Sequence, residues 1–415
     1  MSTSNWAGNH IFAADRVLRP GTVDELRSMV ASTPRLKAVG TRHSFNDIAD
    51  VAGGTQLDVS RIDRPLRISE ADGTVTVGAA VRYGDLAKPL DAAGLALANL
   101  ASLPHCTVAG SVATATHGSG QHNQNLSAAV AGLEMVTADG ELHTFTRADP
   151  EFPGLVVGLG AFGVVTAVTL ETVPTYQVRQ CVFDSLPWDA VFDWFDEIQD
   201  AAYSVSLFTT WAEDTVDQVW LKTIADGPGA PRTDFYGAPA ADSPRHPVRA
   251  AGMSAQNCTE QLGVAGPWYD RIPHFRLEFT PSAGAELQSE FFVPRRDAVE
   301  ALRAVRELAD MVAPLLYVSE IRTVAGDDLW LSPAYGGDRV AIHFTWRPLP
   351  EVLGVLPVIE ERLAPFGARP HWGKLFHGGD VAGRYPRLRE FRALAHSLDP
   401  DGKFASPFLR RQVLG

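Results

Sequence analysis

The sequence predicts an α+β fold built from two parts of different texture, and three observations carry that reading. From Val17 to about Pro174 short helices alternate with short strands, whereas from about Arg179 to Arg369 strand candidates dominate. The third observation is negative. No glycine-rich turn opens a helix after a leading strand, as a doubly wound sheet would require.

Each element has a local reason. Thr22-Val23-Asp24-Glu25 is a capping box ahead of Leu26, Met29 and Val30, so a helix starts there. Residues 36–39 read as a strand that runs into a loop at 40–45. Residues 74–78 alternate as a strand should. Residues 85–93 look helical and stop at Gly94, a C′ glycine. Asp139-Gly140, between apolar runs at 133–136 and 142–145, marks a hairpin. In the second part, strands are expected at 205–211, 218–224, 274–280, 287–293, 316–323 and 340–346. They form an antiparallel sheet with helices such as 297–312 on one side. The Gly-, Pro- and Ala-rich stretch 226–247 reads as a long loop. A helix at 386–397, with Pro386 suited to its first turn, precedes Asp399-Pro400-Asp401-Gly402.

With 415 residues the chain fits two ordinary domains better than one. A net charge of −13 and the lack of any Lys/Arg run argue against nucleic acid and anionic membranes as partners. Cys106, Cys181 and Cys258 are scattered without CxxC spacing, which excludes a disulfide framework and suits a reducing compartment. The first residues lack a signal-peptide pattern, and no apolar run approaches the ~20 residues that span a bilayer. A cytoplasmic location follows from this reading; a monomer is expected, although nothing in the sequence speaks to assembly.

Gly158-Leu159-Gly160-Ala161-Phe162-Gly163 matches the GxGxxG of dinucleotide-binding helices, but the run after it, 164–170, is β-branched and prefers a strand. Two other loops are more informative. One is Gly40-Thr41-Arg42-His43-Ser44-Phe45-Asn46; the other runs from Ser102 to Gly120 and contains His105, Thr107, Gly110, Thr114, Thr116 and His117. Small residues and hydroxyls let backbone N–H groups crowd around a phosphate, as in a polar nest that needs no helix dipole. On the strand side, Gln288 and Glu290, Glu320 and Arg322, and His343 and Thr345 are each two apart. Each pair therefore shares a strand face. Such faces are usually solvated on antiparallel strands; the apolar neighbours Ile321 and Phe344 favour a common polar pocket instead.

The first loop resembles the covalent-flavin loop of the vanillyl-alcohol-oxidase family. Ala101 to His105 and Val108 to Gly120 resemble that family's second flavin-binding stretch, and residues 162–166 its strand beside the adenine half. Residues 5–8, 202–208, 285–290, 319–324 and 370–374 are similar to the bacterial alditol oxidases within the family. The resemblance implies a two-domain fold of that type. Its expected parts are an FAD-binding domain over 1–178, an antiparallel-sheet substrate domain over 179–370, and a segment 371–415 that returns to the first.

It also implies FAD bound covalently, 8α-histidyl, through His43. The remaining cofactor contacts would be Gly40, Thr41, Arg42, Ser44, Ser102, Thr107, Gly110, Thr114, Thr116, His117, Gly163, Val165 and His371. Cys106 lies one residue out of register with the second tether of bicovalent relatives, and His105 stands in its place, so a single linkage is expected. A neutral imidazole is a good nucleophile, which fits that role.

The implied activity is oxidation of the terminal primary alcohol of polyols such as xylitol and sorbitol. Hydride passes to flavin N5 and O2 is reduced to H2O2. The catalytic set would be Arg322, Lys374, His343 and Glu320: Arg322 and Lys374 would meet the reacting hydroxyl, with His343 nearby as a proton acceptor, a role open also to Lys374 if its pKa is depressed. Glu320, Ser102, Thr345 and Gln288 would hold the other hydroxyls. The alternative within the family is an aldonolactone oxidase or dehydrogenase, where Ala101 beside the flavin would hinder oxygen. A metal-dependent hydrolase using some of the twelve histidines finds no HExxH, and a non-catalytic binding protein would be colourless.

Overall fold

The computed structural model describes residues 4–225, 233–249, 253–280, 282, 285–379 and 381–415. Two sheets dominate. The first is five-stranded and antiparallel, and holds the hairpin Val130–Val136 and Leu142–Thr146 beside Val164–Glu171 and Thr74–Gly78. Gly140 takes φ +83° at the hairpin turn, the conformation that favours glycine. A smaller parallel sheet of Arg16–Leu18, Thr55–Leu57 and Leu36–Ala38 packs beside it.

The helix Val23–Ser32 begins as expected, with Thr22 Oγ1 accepting from the Glu25 amide at 3.2 Å. The Glu25 carboxylate reaches back to the Gly21 amide rather than to that of Thr22. Helix Tyr83–Ala92 ends before Gly94, which has φ +74°. As expected, no helix follows the GxGxxG stretch: the strand Val164–Glu171 does.

The second sheet has eight strands. Its wide part runs in the order Gln177–Pro187, Thr215–Ile224, Ser204–Thr209, Leu316–Val324, Arg339–Trp346, Leu287–Pro294, all antiparallel. Alternation divides it cleanly. Phe291, Val293, Ile321, Ile342, Phe344 and Trp346 face a core shared with helices Ala298–Arg306 and Val352–Leu363. The opposite face carries Gln288, Glu290, Glu320, Arg322, His343 and Thr345, all buried. The expectation of a pocket rather than solvated faces is met.

Three local expectations fail. Residues 274–280 do not form a strand; one bridge, Cys258 to Phe275, is all that pairs there. The amides of His274 and Phe275 bond instead to the Ser102 carbonyl, at 3.1 and 3.3 Å, so the backbone is committed to the loop that contains Ser102. The single helix over 297–312 is two, Ala298–Arg306 and Ala309–Val312, separated by a tightened i→i−3 turn at Leu308. Within the expected loop 226–247, residues 226–232 lie outside the described residues. The rest contains a small hairpin of Asp234–Phe235 and Ala238–Pro239.

The chain's last segment packs on the first layer. Trp372, Phe391, Phe408 and Val413 share one core with Val75, Leu133, Leu155 and Val168. Among the described residues no helix is long and apolar enough to cross a membrane.

Candidate active site

One cavity of about 290 Å3 lies between the two sheets. It is lined by both sequence-singled loops and by the polar face of the large sheet. Gly40, Thr41, Arg42, His43 and Ser44 enter from the first loop. Ser102, Thr107, Gly110, Thr114, Thr116 and His117 come from the second, and Gly163 and Val165 from the start of the strand Val164–Glu171 in the five-stranded sheet. Gln288, Glu290, Glu320, Arg322, His343, Thr345, His371 and Lys374 close the far end. Every expected site residue is therefore brought to a single space.

The second loop is more regular than expected: Val108–Ala113 is a short helix with Thr107 at its N-cap. Small residues permit the close approach of the loops. A Cβ at Gly40 would sit 2.5 Å from Thr107 Oγ1, and one at Gly118 would sit 2.3 Å from the Leu100 carbonyl oxygen. Arg42 and Leu159 line the cavity with left-handed backbones, φ +63° and +52°, and Ala115, at +54°, lies between two lining threonines. Clustered strain of this kind marks ligand sites.

The loops are tied to the segment 372–374 and to the large sheet by hydrogen bonds to backbone carbonyls. The Phe45 amide donates to Gly373 at 2.7 Å, and Asn46 Nδ2 donates to the carbonyls of Trp372 and Lys374, each at 2.8 Å. The Gly120 amide donates to Thr323. Trp372 anchors this turn, buried and stacked on Tyr385.

His43 stacks on Trp6, ring centroids 5.3 Å apart. Its Nδ1 is buried and finds no hydrogen-bond partner among the described residues. Burial, then the nearby His105, lowers its pKa to about 4, so the ring is neutral at physiological pH. His105 donates through Nε2 to the carbonyls of Leu277 and Phe279, each at 3.0 Å. Cys106 also lines the cavity, and burial raises its thiol to about 12, far from a reactive thiolate. An orphaned imidazole nitrogen, glycines that admit the backbone and a continuous cavity fit a flavin.

At the other end, Glu290, His343 and Glu320 form one row across three neighbouring strands. Glu290 is the hub. Its Oε1 accepts from Arg322 Nη2 at 2.6 Å and its Oε2 from Lys374 Nζ at 2.7 Å, while His117 Nε2 lies 3.2 Å from Oε1. Burial would raise this carboxyl, but Lys374, His117 and Arg322 together hold it well below the usual range. Burial lowers Lys374 in turn, against the pull of Glu290. Arg322 Nη1 also donates to Ser102 Oγ at 3.2 Å.

Gln288 fixes the His343 tautomer. Its Nε2 donates to Glu286 at 2.5 Å, which turns Oε1 toward His343 Nε2 at 3.1 Å. Nε2 must then carry the proton, leaving Nδ1 as a bare, buried lone pair. Burial, then Lys374, pushes this histidine well below its ordinary value.

Glu290 entered the sequence reading only as the partner of Gln288, and His274, which bonds Glu320 at 2.7 Å, was missed. The i,i+2 polar spacing signalled the first. Nothing local signals the second, since its partner is 46 residues away.

A family model of an FAD-binding domain matches residues 14–146, and one of D-arabinono-1,4-lactone oxidase matches 285–412. An alditol oxidase from a Streptomyces species is 49% identical over 417 residues, covering 99% of each chain. The chain belongs to the vanillyl-alcohol-oxidase family of FAD-linked oxidases. Another relative of this vanillyl-alcohol-oxidase member, the L-gulono-1,4-lactone dehydrogenase of Mycobacterium tuberculosis, is 28% identical over 99% of both chains. Cholesterol oxidase from B. sterolicum superposes with a TM-score of 0.80 at 16% identity, covering 99% of this chain and 96% of that one. A solvent-stable cholesterol oxidase gives 0.81 at 17%, covering 98% and 96%. These likenesses establish the α+β fold of the family, and the protein is an FAD-dependent oxidoreductase.

Proposed function

We propose that this protein is an alditol oxidase: it oxidises the terminal primary alcohol of small polyols such as xylitol and sorbitol, with O2 reduced to H2O2. The observation that carries the reading is the charge balance of the polar wall. Two cations, Arg322 and Lys374, face two carboxylates, Glu290 and Glu320, and the four sum to zero. A balanced wall rich in donors and acceptors suits an uncharged polyhydroxy compound, whereas an anionic substrate would need an excess of cations.

His43 would hold FAD through its orphaned Nδ1, and the residues of the two loops, with Gly163, Val165 and His371, would surround it. FAD supplies the hydride acceptor and the route to O2. The chain supplies the rest. Arg322 and Lys374 stabilise the developing alkoxide, each such donor contributing roughly 2–4 kcal/mol by analogy with oxyanion donors. His343 Nδ1, with its lone pair fixed by Gln288, takes the hydroxyl proton. Glu320, Ser102, Thr345 and the second N–H of Gln288 hold the remaining hydroxyls.

A second reading is supported by the D-arabinono-1,4-lactone oxidase model over residues 285–412: a lactone is uncharged too. A peroxide-coupled assay over C3 to C6 polyols and an aldonolactone separates the two. Xylitol and sorbitol should lead; a lead for the lactone would replace the alditol reading. For the linkage, yellow colour should stay with acid-precipitated polypeptide and be lost in His43→Ala. Colour released from the native protein by acid would exclude a covalent bond. A domain division at 178 and 370 and a reducing, cytoplasmic location belong to the same proposal, as does action as a monomer.

A further inference from the structure

Behind Glu320 lies a chain of buried groups that the proposed chemistry does not use. Lys222, 1% exposed, projects from the strand Thr215–Ile224. Its Nζ is 2.5 Å from the Ile272 carbonyl oxygen, 3.0 Å from that of Pro273 and 2.9 Å from His274 Nδ1. His274 Nε2 is 2.7 Å from Glu320 Oε1, and Glu320 Oε2 is 3.6 Å from Arg322 Nε. The rings of Phe208 and Trp220 stand edge-on against His274, centroids 5.4 and 5.2 Å away, and restrict its rotation.

Hydrogen-bond polarity follows from these contacts. The two carbonyls only accept, so they take two N–H groups of Lys222. Three patterns with the same number of protons then remain. An ammonium donates to Nδ1, the ring carries its proton on Nε2 and Glu320 is a carboxylate; or a neutral amine accepts from Nδ1–H and Glu320 is a carboxylic acid; or the amine is neutral, the ring carries both protons and Glu320 is a carboxylate. Burial would raise the Glu320 carboxyl, but Arg322 and then His274 hold it below the carboxylate range, which rules out the second. Burial, then Lys222, lowers His274 to about 4, which rules out the third. Burial draws the Lys222 ammonium down to about 7, while Glu320 and Cys258 hold it up and Arg322 opposes it.

We infer that Lys222 and His274 are positioning residues: they occupy one oxygen of Glu320 with a donor and leave the other oriented as an acceptor for a substrate hydroxyl. The inference rests on the hydroxyl-binding role proposed for Glu320. Misaligning a hydrogen bond to a charged group should weaken substrate binding roughly tenfold or more. Because the role proposed for Glu320 is to hold a hydroxyl other than the reacting one, the loss should fall on KM more than on kcat.

The test is steady-state kinetics on xylitol with FAD-loaded K222M, E320Q and the double variant. K222M should raise KM roughly tenfold or more, and should add little in the E320Q background, because both act at one carboxylate. H274Q keeps an acceptor toward Lys222 and a donor toward Glu320, so it should recover most of the KM that H274L loses. This pair decides the question if K222M does not fold. Additive K222M and E320Q effects, an unchanged KM in K222M, or equal losses in H274Q and H274L would each overturn the inference. A KM unchanged by E320Q would instead overturn the hydroxyl role of Glu320 itself.

Discussion

Glu290 is where the energetics of the site concentrate. Fully buried, it answers Arg322 and Lys374 at once. Removing one partner of a buried ion pair costs about 3–5 kcal/mol, because the other charge is left uncompensated. Glu290→Leu should therefore destabilise the protein by about that amount and abolish turnover. Glu290→Gln, which keeps the shape and one acceptor, should lose activity with a smaller cost in stability. Denaturant midpoints and kcat measured on both variants check this; a Leu variant within about 1 kcal/mol of wild type would show that the cluster is solvated. Single side chains were the most legible scale of the sequence. His43, Glu320, Arg322, His343 and Lys374 could be picked out from loop chemistry, i,i+2 spacing and resemblance. His274 and Lys222 could not, because a positioning role exists only once the fold brings distant residues together.

Strands and loops were legible where one face had to be polar and the other apolar. Residues 287–293, 316–323 and 340–346 alternate, and the sheet uses that alternation to separate its helix-packed face from its cavity face. Residues 274–280 alternate equally well yet form no strand, since their amides serve Ser102 and their carbonyls serve His105. Tertiary demand overrode pattern there. The same loop makes a sharp prediction. A Cβ at Gly118 would lie 2.3 Å from the Leu100 carbonyl oxygen, a backbone atom that cannot rotate away. Gly118→Ala should push residues 100–102 off the His117 turn, cost about 1–3 kcal/mol and lower the flavin content of purified protein. Wild-type flavin content and stability in that variant would contradict the packing described.

The whole molecule holds several ionisable groups in buried, unusual states, and this fixes its response to acid. His43, His274, His343 and His371 all titrate below their ordinary value in the fold, with burial the main cause. As pH falls below about 6.5 the unfolded chain protonates these histidines while the folded one does not, so stability declines. Glu290 and Glu320, depressed by their cations, add a further loss as pH drops below about 4.5. Stability measured by chemical denaturation should therefore fall steadily from pH 7.5 to 4; a flat profile would mean that water reaches these groups.

At this scale the sequence also conveyed the two-layer α+β architecture. It did not convey how the last segment binds the layers together, because that depends on Trp372 and Asn46 meeting across 326 residues of chain. In the proposed function an oxidised flavin and a charge-balanced polyol site share one cavity. Anaerobic titration of the purified holoprotein with xylitol probes both at once. The flavin's visible absorbance should bleach on mixing and return when air is admitted, with peroxide formed; absorbance that survives saturating xylitol but bleaches with an aldonolactone would overturn the alditol reading.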